Sequence, residues 1–204
     1  MHTLLVLSHP SSESLTHSVA KTIAKGLINA GKEHTVDFLD LYQEGFNPLF
    51  SEHDMAAYRQ QMEPPHDVLD QQKRIEAAQS LVLVFPIHWW GMPAMLKGWV
   101  DRVFTNGWAF DWSPEMGARK RLQGLKIHIF CIGGAESSTY LRHGYDTSIK
   151  KNIGEGLFNY VGASVESFHV LGDSESTENS SVILKKAQEL SQLILEAAKP
   201  RKHP

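Results

Sequence analysis

Apolar residues along this chain fall into short runs that are separated by longer stretches with helical spacing. The run at 81–85 is apolar throughout, which is typical of a strand covered by helices on both faces. Strand-sized runs that alternate with helical stretches indicate βαβ units around a parallel sheet. The pattern predicts an α/β fold with a doubly wound sheet of five strands, at 3–7, 34–39, 81–85, 125–131 and 164–170.

Five helices are predicted between and after these strands, and most have a recognisable start or stop signal. Gly31 and Gly162 follow two helix ends, and Pro93 stands at a helix start. Asp67 is the predicted N-cap of the second helix. The helices are expected at 15–30, 68–78, 94–104, 147–161 and 178–199. Pro200 stops the last of them, and the tail after it is expected to fray.

Two segments, near 42–65 and 107–121, are insertions in this scheme of a single domain over 1–204. Insertions of this length are lids, interfaces or disordered loops. The second one carries Trp108, Phe110 and Trp112, and this aromatic content favours an ordered segment.

Composition excludes several classes of function. Twenty basic residues against 23 acidic ones give a net charge of -3, which argues against a nucleic-acid partner. No apolar run is long enough for membrane insertion. The single cysteine, Cys131, stands in an apolar run and is predicted to be buried and unpaired, as in a cytoplasmic protein. The 11 histidines are scattered without ligand spacing, so no metal site is predicted.

Three loops are candidates for chemistry, because right-handed crossovers place the turns after strands one, three and four at the carboxyl edge of the sheet. The first loop, 8–18, is rich in hydroxyl groups and leads into a helix. Clustered hydroxyls and free N–H groups at a positive helix end favour a phosphate site. A serine-rich N-cap without a ligand is the open alternative.

The second loop, 85–93, contains two adjacent tryptophans between prolines. Trp89 and Trp90 cannot both face one core, so at least one of them meets a ligand, a partner or solvent. A flat aromatic cofactor would suit them, and core packing against Phe104 and Trp108 is the alternative.

The third loop, 131–144, contains Gly133 and Gly134, which allow a ligand to approach the backbone closely. Tyr140 and His143 add two titratable groups within one turn of each other. Without the other loops, the glycine pair indicates only a turn.

The segment 85–104, FPIHWWGMPAMLKGWVDRVF, resembles the FPLxWxGxPAxLKGWxxRVF motif of the NAD(P)H:quinone oxidoreductases of the flavodoxin-like superfamily. This family includes the DT-diaphorase type and bacterial relatives. Segments 46–48 and 70–78 also resemble it, and the similarity covers about 3–163. The resemblance implies a flavodoxin-like sheet with strand order 2-1-3-4-5.

The resemblance also implies positions for a flavin and its substrates. Tyr140 matches a catalytic tyrosine that works with a histidine six residues later, but here that position is Asp146, and the nearest histidine is His143. Either His143 takes the catalytic role through a differently shaped loop, or the relay is absent. Phe110 and Trp112 match aromatic residues of the nicotinamide and quinone pocket. Tyr140 is also one of the implied flavin-binding residues. The others are His9, Ser14, Leu15 and Thr16 at the phosphate, Pro86, Ile87, His88, Trp89 and Trp90 along the ring, and Gly133 and Gly134 at its pyrimidine side.

The function implied by the resemblance is ping-pong transfer of two electrons from NADPH or NADH, through a bound flavin, to a quinone-like acceptor. The implied flavin is FAD, with FMN as the alternative. The family also implies a homodimer, with Trp108, Phe110 and Trp112 at the interface.

Three other functions are open. The chain could be a regulatory flavoprotein that binds a potassium-efflux transporter. A one-electron carrier is disfavoured, since such carriers are shorter and strongly acidic. An α/β domain without flavin is the third.

Overall fold

Seven strands occur in the described part of the computed structural model, which comprises residues 1–115 and 117–198. The strands are β1 (His2–Leu7), β2 (Thr35–Asp40), β3 (Ser80–Pro86), β4 (Phe110–Ser113), β5 (Gly117–Lys120), β6 (Lys126–Ile132) and β7 (Ser164–Leu171). Five of them form a parallel sheet in the order β2-β1-β3-β6-β7, and β4 pairs with β5 in a separate antiparallel hairpin. The predicted order is confirmed, because β6 and β7 are the fourth and fifth strands of the sheet.

Helices cover both faces of this sheet. They are α1 (Leu15–Asn29), α2 (Glu52–Tyr58), α3 (His66–Ala77), α4 (Ala94–Val103), α5 (Ser137–His143), α6 (Tyr145–Ile149), a π-helix (Lys150–Asn159) and α7 (Thr177–Ala197). On β3, Leu83 and Phe85 belong to the core beneath α3 and α4, whereas Val84 belongs to the core beneath α1 and α7. This alternation explains why the strand is apolar throughout.

Three predicted details of the helices are wrong. The predicted helix at 147–161 begins at Tyr145, and most of it is π-helical, a wider turn that apolar spacing does not reveal. The third loop contains a helix, α5, which ends at Gly144 with φ of 69°. Asp67 is not the N-cap, because Pro65 precedes α3. The Asp67 carboxylate accepts the Val68 N–H and also hydrogen bonds from Arg102. The predicted helix end at Lys199 and the tail lie outside the described residues.

The insertion at 42–65 packs against α4. A Cβ at Gly98 of α4 would overlap the carbonyl oxygen of Pro48, so only glycine permits this approach. Arg102, one helical turn further on, is buried and donates from Nε to Asp54 Oδ1 at 2.9 Å. The insertion is therefore an ordered part of the fold that is anchored to α4.

The second insertion forms the β4–β5 hairpin, which the sequence pattern did not predict as strands. Phe110 at its start is buried and lies edge-on to Tyr58 and Tyr160. Trp108 packs against Phe104, and its Nε1 donates to Glu76 at 2.6 Å. Much of the aromatic content of this insertion thus belongs to the core of the chain itself.

Candidate functional site

The candidate site lies at the carboxyl edge of the sheet, where the loops after β1, β3 and β6 are neighbours. Each of the first two loops begins by extending the ladder of hydrogen bonds: Ser8 N donates to Val84 O at 3.2 Å, and Ile87 N donates to Ile132 O at 2.7 Å. Adjacent strands are about 5 Å apart, so the three loops lie side by side. Ligands bind at this edge in open α/β sheets.

The first loop leads into α1, and Ser14 is the N-cap of that helix. Ser14 Oγ accepts a hydrogen bond from His17 N at 3.2 Å. Among the described residues, the backbone N–H groups of Leu15 and Thr16 have no hydrogen-bond partner, as the first turn of a helix requires. Free amides at the positive end of a helix suit a phosphate group.

A cavity of about 410 Å³ adjoins this turn. His9 stands at its edge, with Nδ1 accepting the Ser11 N–H at 3.0 Å. Burial lowers the pKa of His9, more than its contact with the Ser11 backbone raises it. The ring of His9 is therefore neutral near pH 7. The cavity is lined by His9, Pro10, Ser12, His17, Tyr42 and Gln43.

The buried pair of His17 and Asp40 is linked by hydrogen bonds to Ser14, the N-cap of α1. His17 Nε2 lies 2.8 Å from Asp40 Oδ2, and His17 Nδ1 lies 3.0 Å from Ser14 Oγ. The other carboxylate oxygen, Oδ1, accepts N–H bonds from Tyr42 and Gln43 in the loop after β2. The three side chains thus form one hydrogen-bonded line from the start of α1 to the end of β2.

Trp89 and Trp90 occupy the two central positions of a tight turn after β3. Their φ angles are 47° and 61°, and His88 and Gly91 exchange backbone hydrogen bonds at 3.1 and 3.0 Å, the arrangement of a type I′ turn. Side chains other than glycine cost about 1 kcal/mol or more in this region. Trp89 is 95% exposed, so the tryptophans do not share a core, and strain of this kind is typical of functional sites.

Tyr140 of α5 folds back over the glycine pair of the third loop. A Cβ at Gly133 would overlap Tyr140 Oη, so the phenol fills space that only glycine leaves open. Tyr140 is buried, and this burial raises the pKa of its phenol, with a smaller contribution from Cys131. The hydroxyl stays protonated near neutral pH and can donate. A cavity of about 170 Å³ is lined by Ile87, Trp89, Trp90, Gly134, Ala135 and Tyr140.

Three aromatic rings stack beside this cavity. Trp90 stacks on Tyr145 with ring centroids 3.9 Å apart, and Tyr145 stacks in turn on His143 at 5.4 Å. Trp90 also lines a second cavity of about 420 Å³ between α4 and the π-helix. His143 is exposed and contacts Tyr145 rather than lining the cavity at Tyr140, whereas Asp146 lies in the first turn of α6.

The two predicted substrate residues lie apart from the Tyr140 cavity lining. Phe110 is buried in the core, and Trp112 is 54% exposed on the hairpin. Among residues 1–115 and 117–198, no cluster of His, Cys, Asp and Glu could hold a metal ion. In the same residues, no helix has the length and apolar character that crossing a bilayer requires. Cys131 is buried and unpaired.

Known proteins resemble this chain over most of its length. A family model described as the flavodoxin-like fold matches residues 1–194. An uncharacterised NAD(P)H oxidoreductase of Haemophilus influenzae is 31% identical over 177 residues, which cover 85% of this chain and 84% of that protein. NAD(P)H dehydrogenase [quinone] 1 of Cavia porcellus is 30% identical over 181 residues, covering 79% of this chain and 65% of that enzyme.

A solved structure, the NAD(P)H:quinone oxidoreductase of Methanothermobacter marburgensis, superposes with a TM-score of 0.84. It is 26% identical and covers 100% of this chain and 99% of that chain. The chain belongs to the NAD(P)H:quinone oxidoreductase family of flavodoxin-like proteins. The resemblance of the chain to this family is thereby confirmed.

Within this NAD(P)H:quinone oxidoreductase family, the chain places its three loops at one edge of the sheet, as predicted. Sequence reasoning missed two features of that edge. It did not assign Tyr145, although this aromatic residue follows Gly144 close to Tyr140. It also missed the link from Ser14 through His17 to Asp40, for which the histidine three residues after the N-cap serine was the available signal.

Proposed function

We propose that this chain transfers two electrons from NAD(P)H to a quinone-like acceptor through a flavin held at the carboxyl edge of the sheet. The observation that carries this proposal is the meeting, at that edge, of three features with different chemistry. They are the free amides of α1, the strained turn of Trp89 and Trp90, and the glycine pair covered by Tyr140. Family membership supplies the reaction class.

The residues present fit a flavin. A phosphate group would take the amides of Leu15 and Thr16 with Ser14 and His9 beside it. An aromatic ring would lie along Pro86, Ile87, His88, Trp89 and Trp90, with the backbone of Gly133 and Gly134 near its polar side. These residues would hold a flavin that would supply hydride and two-electron transfer between NAD(P)H and the acceptor.

The protein side chains orient the reactants and manage charge. Tyr140, protonated and buried, donates a hydrogen bond toward charge that develops in the pocket. Trp90, fixed by its stack on Tyr145, forms a rigid apolar wall that excludes water. His143 holds the outer face of Tyr145. In the proposed ping-pong scheme, NAD(P)H and the acceptor use this pocket in turn.

FAD is the proposed flavin, with FMN as the alternative. The cavity of about 410 Å³ extends from the loop before α1 toward Tyr42 and Gln43 after β2. This space gives the portion of FAD beyond its first phosphate a place to bind, which FMN would not need.

A homodimer is part of the proposal, because apolar side chains are exposed on the two insertions. Leu49 is 73% exposed and Trp112 is 54% exposed, and Met55, Tyr58 and Met62 are exposed near Leu49 in sequence. A second copy would cover this surface. Trp112 would then reach the partner's pocket, while Phe110 supports the hairpin from the core. A cytoplasmic location agrees with the unpaired Cys131.

The test is direct. Protein saturated with FAD or FMN should be yellow, should bleach on anaerobic mixing with NADPH or NADH, and should regain colour with a benzoquinone in stopped flow. Colourless protein that binds neither flavin on titration overturns the proposal. Flavin binding without reduction by either nicotinamide would indicate a one-electron carrier. Mass analysis of the released flavin separates FAD from FMN.

A regulatory role on a potassium-efflux transporter stays a prediction from the resemblance, and no contact in the described residues favours it. This role would replace the enzymatic proposal if the chain co-purified stably with a membrane partner and showed no measurable reduction of quinones by NAD(P)H.

A further inference from the structure

The Ser14–His17–Asp40 line ends at the turn where the proposed flavin phosphate binds. His17 and Asp40 are 3% and 7% exposed, so their hydrogen bonds are shielded from water. Asp40 Oδ1 accepts backbone N–H groups, and Asp40 Oδ2 lies 2.8 Å from His17 Nε2. Because an ionised carboxylate only accepts hydrogen bonds, His17 Nε2 carries a hydrogen.

This arrangement fixes the direction of the Ser14 hydroxyl. When His17 is neutral, its Nδ1 is bare and accepts the Ser14 O–H across 3.0 Å. Ser14 Oγ meanwhile accepts the N–H of residue 17 at 3.2 Å. The single hydroxyl hydrogen of Ser14 thus points into the protein, and none is left for a phosphate oxygen.

Protonation of His17 reverses that direction. Nδ1 then carries a hydrogen and donates it to Ser14 Oγ, and the Ser14 hydroxyl hydrogen is free to turn outward. A phosphate at the start of α1 would gain this donor in addition to the amides of Leu15 and Thr16.

A carboxylate and several titratable side chains lie around His17. The carboxylate of Asp40 neutralises a protonated His17 in the buried site. His9, from the loop after β1, lies edge-on to His17 at 6.2 Å and is neutral near pH 7, so it does not repel the charge. Tyr42 lines the same cavity, and His88 from the loop after β3 acts on His9.

We propose that binding of the flavin phosphate is coupled to the uptake of one proton by His17, which turns Ser14 from a hydrogen-bond acceptor into a donor. His17 is thus a positioning residue that acts through Ser14. This inference rests on the proposed function. In the pH range where only the flavin complex holds that proton, flavin affinity should fall by about tenfold per pH unit.

Calorimetry measures this proton directly. Flavin-free protein is titrated with FAD and with FMN at pH 8 in two buffers that differ in ionisation enthalpy. The expected uptake is close to one proton per flavin for the native chain and for His53→Gln, an exposed control histidine. His17→Gln and riboflavin, which lacks the phosphate, should show none. Nitrogen NMR of the His17 ring in the flavin complex should show both ring nitrogens protonated.

The outcomes are distinguishable. Flavin binding by the native chain without proton uptake, or with a neutral His17 ring by NMR, overturns the inference and leaves the proposed function standing. Equal uptake by folded His17→Gln overturns it as well. If that variant does not fold, the proton uptake of the native chain with FAD is compared with its uptake with riboflavin, and equal values overturn the inference. Absence of flavin binding at any pH overturns both proposals.

Discussion

Trp90 stacks on Tyr145 at a centroid distance of 3.9 Å and an interplanar angle of 17°. The tryptophan stands in a left-handed backbone conformation, and the tyrosine begins the helix that follows Gly144. A contact across two loops thus holds a strained residue in place, which prepares the wall of the pocket before a ligand arrives.

Removal of this stack should loosen the pocket. An aromatic pair contributes about 1 kcal/mol beyond its buried area, so Tyr145→Ala should weaken flavin binding by about fivefold or more. Tyr145→Phe keeps the ring and should bind as the native chain does. Flavin titration followed by tryptophan fluorescence gives both values. Native affinity in Tyr145→Ala would show that Trp90 needs no support from Tyr145.

Tyr140→Phe should slow reduction of the flavin by about 100-fold, the usual effect of losing one donor to developing charge. Flavin affinity should change little, because the ring that covers Gly133 is retained. Since burial raises the pKa of Tyr140 above its usual value near 10, the native rate should show no loss from this group below about pH 10. Stopped-flow reduction by NADPH measures the rate. An unchanged rate removes Tyr140 from the mechanism.

His128 should make the fold sensitive to acid. It is buried on β6, its Nδ1 contacts Ser167 at 2.9 Å, and its Nε2 has no hydrogen-bond partner. Burial lowers the pKa of His128 to about 4. Below about pH 6.5 the unfolded chain binds a proton that the folded chain does not. The free energy of unfolding therefore decreases as the pH is lowered from about 6.5 to about 4. The loss should approach about 3 kcal/mol at pH 4.

Urea denaturation between pH 7.5 and 4 tests this dependence. His128→Phe removes the titrating group and should flatten the curve, whereas the exposed control His53→Gln should not. An equally steep curve for His128→Phe would assign the acid sensitivity to other groups.

Arg102→Ala should destabilise the fold by about 3 to 5 kcal/mol, because it leaves the carboxylate of Asp54 buried without its cation. Burial raises the pKa of Asp54, but hydrogen bonds from Ser51 and the charge of Arg102 outweigh it and lower the value overall. Arg74→Ala is the matched control. Arg74 pairs with Asp37 and Glu44 in a more exposed position, so its loss should cost about 1 kcal/mol. Equal losses in urea would contradict this ranking.

The sheet and the three loops could be predicted because they follow from local patterns and a general rule of chain handedness. Apolar runs mark the strands, and right-handed crossovers determine which loops share an edge. The type I′ turn could not be predicted, since Trp89 and Trp90 are not the asparagine and glycine that usually form it. Their adjacency between prolines and the family resemblance, rather than any turn signal, pointed to those residues.

Long-range partners were also beyond the sequence pattern. The bond from His17 to Asp40 depends on the pairing of β1 with β2, and the bond from Arg102 to Asp54 spans 48 residues. Asp67 was assigned to its own helix because capping is a local rule. The structure shows that a distant guanidinium, that of Arg102, also donates to its carboxylate.

The position of α4 joins two regions that differ in chemistry. Its first residue follows the turn of Trp89 and Trp90, and its last turns hold the insertion through Gly98 and Arg102. Local unfolding of the insertion would therefore release the same helix that supports the pocket. Amide hydrogens in 46–58 and 94–103 should exchange as one cooperative unit, and a ligand in the pocket should slow exchange in both.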